Sequence, residues 1–89
     1  MRCRTDANQP AIVEALRNAG VPVLVVSSQG IGFDLICNYR GVWLVEVKAV
    51  VKDSLTTHEG LVRNMFGKNY LVITNAVEFF ERVEHATNS

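Results

Sequence analysis

The stretch Phe33-Asp34-Leu35-Ile36-Cys37-Asn38-Tyr39-Arg40-Gly41-Val42-Trp43-Leu44-Val45-Glu46-Val47-Lys48 decides the fold. Two runs rich in β-branched and aromatic residues flank Asn38-Tyr39-Arg40-Gly41, a turn signal. The pattern predicts one strand over 33–37, a second over 42–47 and a hairpin between them. A three-residue loop at Tyr39-Arg40-Gly41, with Gly41 left-handed, pairs Asn38 with Val42 and, further down, sets Asp34 directly opposite Glu46. Opposed residues share a face with Cβ atoms about 4.5–5.5 Å apart. Lys48, two positions past Glu46, points the same way. Phe33, Leu35, Val45 and Val47 then fall on the other face and belong to the core. A two-residue turn would instead separate Asp34 and Glu46 onto opposite faces.

Outward from the hairpin, residues 21–27 form an apolar run without polar alternation, which predicts a strand buried on both faces with Pro22 at its start. A helix precedes it: Ile12, Ala15, Leu16 and Ala19 fall at helical spacing, Pro10 sits in the first turn and Gly20 ends the helix. After the hairpin, 52–57 is polar loop, 58–66 a short helix closed by Gly67, 69–74 a last strand, and 76–85 a helix with Val77, Phe80 and Val83 on one face. The order is α-β-β-β-α-β-α. Apolar strands interleaved with amphipathic helices predict an α/β fold, an αβα sandwich around a central mixed sheet.

The chain has 89 residues, room for one domain over 1–89 with one modest core. Its 48% hydrophobic and 20% charged residues are those of an ordinary globular protein. No apolar run reaches the roughly 20 residues of a membrane span, and the polar sequence after Met1 does not resemble a signal peptide, so the expected setting is cytoplasmic, without a membrane partner. Cys3 and Cys37 are far apart and form no zinc pattern; Cys37 reads as a small core residue. The net charge of zero disfavours a protein that coats nucleic acid by bulk charge. Up to Lys68 there are eight Lys/Arg against six Asp/Glu, and after it one against three, so the acidic tail is expected to face away from any polyanion.

Three charged side chains converging on central strands are costly without a task. Two close carboxylates repel unless a cation bridges them. Mg²⁺ is a natural bridge: it takes oxygen ligands, keeps several waters and completes its shell with phosphate oxygens. A neighbouring lysine can hydrogen-bond a metal-bound water and stabilise developing charge. The chemistry implied is phosphodiester hydrolysis. The bland alternative is a cross-strand carboxylate pair with a lysine counter-charge on a solvated face.

Gly30-Ile31-Gly32-Phe33-Asp34 followed by Trp43-Leu44-Val45-Glu46-Val47-Lys48 resembles the PD-(D/E)XK nuclease motif, specifically its VRR-NUC branch. The resemblance runs from about Asp6 to Thr74 and includes Asp6-Ala7-Asn8-Gln9 before the first helix. It implies a restriction-endonuclease-like core, with Asp34, Glu46 and the Val47 carbonyl as metal ligands and Lys48 as the catalytic lysine. It also implies Mg²⁺, with Mn²⁺ able to substitute, and a DNA substrate. Stand-alone members are often phage or prophage proteins that cut branched DNA such as four-way junctions as homodimers. Two symmetric cuts need two sites, which a chain of this size supplies by dimerising.

The chain departs from the pattern in three places. Phe33 replaces the usual proline before the aspartate. Where many members bring a first-helix glutamate to the metal, this chain offers Asn8 or Gln9, with Glu14 further along. Glu59 stands where a Leu-Thr-x-x-Gln element has its glutamine, in Leu55-Thr56-Thr57-His58-Glu59, and would repel phosphate or bind a second metal. Other residues have two readings each. His58 is a candidate base or a solvated residue near a helix start. Arg40, Lys52, Arg63 and Lys68 are candidate phosphate contacts or scattered surface charges. Gly30 and Gly32 allow a nucleic-acid backbone close approach or simply make a turn. Either Phe79 or Phe80 is expected to meet a partner subunit. The functional alternative is a non-catalytic nucleic-acid-binding or assembly module that retains the nuclease fold.

Overall fold

The structure is a computed structural model that describes residues 7–50 and 54–88. Its element order is α1 (Gln9–Asn18), β1 (Val23–Val25), β2 (Leu35–Asn38), β3 (Val42–Val47), α2 (Thr57–Phe66), β4 (Tyr70–Ile73) and α3 (Ala76–Asn88), with 3-10 turns at Ser27–Gln29 and Gly67–Asn69. The strands form one mixed sheet in the order β1-β2-β3-β4, antiparallel except for the parallel β3–β4 pair. This is the α/β arrangement expected. No described helix is long and apolar enough to cross a membrane.

The hairpin register is the one the three-residue loop requires: Asn38 pairs with Val42, Cys37 with Trp43, Ile36 with Leu44 and Leu35 with Val45. The loop's backbone differs from expectation, because Arg40 takes the left-handed conformation (φ 57°) and Gly41 is also positive (φ 120°). The Trp43 indole donates to the Tyr39 carbonyl at 2.6 Å and braces the turn.

Alternation puts Leu35, Cys37, Trp43, Val45, Val47, Leu71 and Ile73 on one face of the sheet, where α1 and α3 cover them. From α1 come Ile12, Val13 and Leu16; Ala15 and Ala19, expected on this stripe, are exposed. The helix ends as a Schellman motif, with Gly20 N–H bonding Arg17 O, Val21 N–H bonding Leu16 O, and Gly20 at φ 89°. Buried Val21 packs in the same cluster as Leu16. From α3 come Phe79, Val83 and Ala86. Val77, expected inward, is 65% exposed. Phe79 is fully buried, and half-buried Phe80 meets Tyr39 and Phe79 edge to face at 5.2 and 5.3 Å.

The other face is thinner. Leu44, Val62 and Tyr70 form a small cluster with Phe33, Ile36, Leu55 and Val72 under α2. Two expectations fail here for one reason each. β1 is an edge strand, and its Leu24, paired with Ile36 on this face, is 59% exposed because α2 packs toward β4 and leaves this end of the sheet open; Val25, which is paired with Leu35 and faces the other way, is 44% exposed as well. Phe33 belongs to this face, not to the main core, because the chain bulges at Asp34 and reverses the alternation before it.

Candidate active site

The bulge is what shapes the site. Leu35 is the ladder partner of Val45, yet the preceding amide, Asp34 N–H, also turns to the Val45 carbonyl at 2.8 Å. Asp34 therefore does not sit squarely opposite Glu46, as a regular ladder would have it. Instead its carboxylate oxygen Oδ2 accepts from the Val47 N–H at 2.9 Å. The aspartate thus lies at the fork where β2 leaves β3. A side chain does there what a strand carbonyl does elsewhere, which anchors the carboxylate to rigid backbone.

On β3, Glu46 is 5% exposed and paired in register with Val72 of β4. Lys48 follows just past the strand, its N–H bonded to Ile73 O at 3.0 Å. The Lys48 ammonium lies 3.4 Å from Glu46 Oε2 and 3.0 Å from Glu59 Oε1. Glu59 comes from the first turn of α2, where the Thr56 hydroxyl accepts from Glu59 N–H and Glu59 Oε1 accepts from Thr56 N–H, a complete capping box.

The charges are unbalanced. Burial pushes the Glu46 carboxyl up to about 9, helped by its hydrogen bond to Glu59 and by the negative charges of Asp34 and Glu59; Lys48 opposes this without cancelling it. Burial works against the Lys48 ammonium as well, but its bond to Glu59 and the charge of Glu46 outweigh that and hold it above the usual lysine range. Glu59, although partly buried, is held below the usual range by hydrogen bonds from Glu46, Thr56 and Lys48. One lysine thus serves two carboxyl groups, Glu46 and Glu59, with the Asp34 charge acting on Glu46 besides, and Glu46 is the one kept protonated.

The residues fit a hard divalent cation by their chemistry: Asp34, Glu46 and the Val47 carbonyl are all oxygen donors, and a positive charge would relieve the acid that burial and like charges keep neutral. Among the described residues no three His, Cys, Asp or Glu side chains gather as a metal-holding group, so water and substrate oxygens would have to fill the rest of the shell.

The remaining candidates divide by position. Asn8 is near: its amide nitrogen donates to Lys48 O at 3.1 Å and Thr74 O at 2.9 Å, tying the ends of β3 and β4 to the start of α1. Gln9 is 4% exposed and donates to Ser27 Oγ at 3.2 Å, while its own carbonyl oxygen is buried without a partner in the structure. Glu14 is exposed, about 9 Å further along the helix axis than Asn8. Gly30 and Gly32, at φ 64° and 94°, lie in the loop leading to Asp34. Arg40 is at the opposite end of the hairpin, about 17 Å along β3 from Glu46, with its guanidinium 5.4 Å from the Tyr39 ring centroid. Lys52 lies outside the described residues. His58, Arg63 and Lys68 are exposed.

Two contributors were not singled out from the sequence. Thr56 was legible, since Thr56-Thr57-His58-Glu59 has the spacing of a capping box and places Glu59 in the first helical turn. Tyr70 had no such signal: its hydroxyl donates to Gly32 O at 2.7 Å, across 38 positions of sequence. A cleft of about 700 Å³ runs along β4 and α3 past Lys68, Glu81, Arg82 and His85 without including Asp34, Glu46 or Lys48. No family model, curated protein or solved structure matches this chain.

Proposed function

We propose that the chain is a divalent-metal-dependent endonuclease that hydrolyses DNA phosphodiester bonds, a VRR-NUC-like member of the PD-(D/E)XK nucleases. The observation that carries this reading is the convergence of Asp34, Glu46 and Lys48 at the fork of β2 and β3, with Glu46 buried and short of positive charge. A structural ion pair has no reason to bury more acid than base. A site that completes itself with a cation does.

In this reading Asp34, Glu46 and the Val47 carbonyl would hold Mg²⁺ or Mn²⁺, which would supply Lewis acidity toward a water and the phosphate charge. Lys48 stabilises the charge that builds on the phosphoryl oxygens. Water oxygen bonds to phosphorus as the bond to the leaving sugar oxygen breaks, giving a phosphate monoester and a free hydroxyl. The resemblance further supports branched DNA, such as a four-way junction, as substrate and a homodimer as the working unit.

The test is a panel of four-way junction, flap, single-stranded and linear duplex DNA with and without Mg²⁺. Cleavage should require metal, and Lys48→Ala should lower it by about 10²–10³-fold while the fold is retained. Wild-type rates in that variant would sink the mechanism. A monomeric mass by light scattering at working concentration would remove the dimer.

One observation favours a second reading, a nucleic-acid-binding or assembly module without catalysis: Glu59 already engages the Lys48 ammonium at 3.0 Å. Calorimetric titration with Mn²⁺ separates the two. Absence of binding, or binding indifferent to Asp34→Ala, selects the non-catalytic module.

A further inference from the structure

A single oxygen, Glu59 Oε1, accepts from both the Lys48 ammonium at 3.0 Å and the Thr56 N–H at 2.9 Å. The second of these bonds belongs to the capping box that starts α2, so the helix end orients the carboxylate independently of the lysine. Lys48 benefits from such a fixture. Its four-carbon stem is free to take many rotamers, and an ammonium has no directional fork of its own.

α2 is itself closely seated on the site. A Cβ at Gly32 would lie 2.5 Å from Val62 Cγ2, so the loop before Asp34 and the helix bearing Glu59 are in direct contact. Tyr70 fastens the same loop through Gly32 O. The elements carrying Asp34, Lys48 and Glu59 are thus tied to one another through α2.

We infer that Glu59 is a positioning residue: held by the Thr56 N–H at the start of α2, its carboxylate sets the direction of the Lys48 ammonium relative to Glu46, so that the helix end and the lysine act as one unit. Its consequence for cleavage rests on the nuclease reading above; the positioning itself does not.

The experiment uses the full chain and two readouts. Reductive methylation with formaldehyde and cyanoborohydride, followed by mass spectrometry, compares Lys48 with the exposed Lys68. In Glu59→Ala, Lys48 should react at least about five-fold faster with Lys68 unchanged, and Glu59→Gln, which keeps an acceptor oxygen, should restore most of the protection. Glu59→Met, similar in length but without oxygen, replaces the alanine variant if that fails to fold. Thr56→Ala removes the hydroxyl cap but keeps the N–H that holds Glu59, and should leave Lys48 protected. No change at Lys48 on removing the carboxylate overturns the inference, as does equal exposure in Thr56→Ala, which would mean simple fraying of the helix.

In cleavage assays Glu59→Ala should lower kcat about ten-fold with KM nearly unchanged, and Glu59→Gln should recover it. An unchanged kcat would overturn the consequence for cleavage. A wild-type protein that cleaves nothing with any metal defeats the nuclease reading alone, because the methylation result still decides what Glu59 does.

Discussion

The two faces of the sheet are built on different principles. Under α1 and α3 lies the main core, with Leu16, Leu35, Val45, Ile73, Phe79 and Val83 wholly excluded from solvent. Under α2, among the described residues, only Leu44, Val62 and Tyr70 are buried apolar residues, and the space beside them holds Glu46, Lys48 and Glu59. The thick face supplies rigidity, and the thin face uses it. A buried acid kept protonated is tolerable only where the strand beneath it is fixed from the other side, and Glu46 sits between Val45 and Val47, both anchored in the main core.

If this division is right, truncations on the two faces should differ sharply. Phe79→Ala should cost about 3–5 kcal/mol in urea unfolding, whereas Val62→Ala should cost about 1–2 kcal/mol. Equal costs would mean that α2 is as much a part of the core as α3.

Gly32→Ala probes the seam between loop and helix. The added methyl meets Val62 on a backbone at φ 94°, so a loss of about 1–3 kcal/mol is expected. Combining it with Val62→Ala should cost less than the two changes summed, since the clash goes while the backbone strain remains. Strict additivity would show that the loop does not bear on α2.

The charge on the thin face should appear as a pH dependence. Glu46 is raised from 4.5 to about 9, so below about pH 4.5 the folded and unfolded states are both protonated and there is no penalty. As pH rises toward 9 the unfolded chain releases a proton that the fold retains, and stability falls by at most about 1.4 kcal/mol per pH unit. Unfolding between pH 5.5 and 8 should therefore show a slope that Glu46→Gln removes. A slope that survives the substitution would place its origin elsewhere.

At the far end of the hairpin, away from this network, the smallest effect is expected. Arg40→Gly relieves the left-handed arginine and should stabilise by about 0.5–1 kcal/mol without altering the pH slope. The buried Cys37 thiol, which burial pushes up to about 12, belongs to the thick face and stays protonated throughout that range.

Much was legible from local pattern alone. Turn residues at 39–41 and the apolar runs beside them determined the β2–β3 register, with Asn38 paired to Val42 and Leu35 to Val45, and so brought the start of β2 beside the end of β3. Helix boundaries followed from Pro10, Gly20 and Gly67, whose backbone constraints act within a few residues. Helix faces were harder to read, because an alanine such as Ala15 fits either side and Val77-Phe80-Val83 and Phe79-Val83-Ala86 are two rival stripes on α3.

Tertiary structure alone decided the rest. The bulge at Asp34 depends on which carbonyl a single amide chooses, and it moved Phe33 to the other face and turned the Asp34 carboxylate toward Val47. That β1 is an edge follows from the strand order, and that its Leu24 face is open follows from where α2 lands, neither of which any residue of β1 encodes. The partnership of Glu59 with Lys48 joins a helix cap to a strand end. Local sequence determines the cap, but the distance between the two is set by how the helix packs on the sheet.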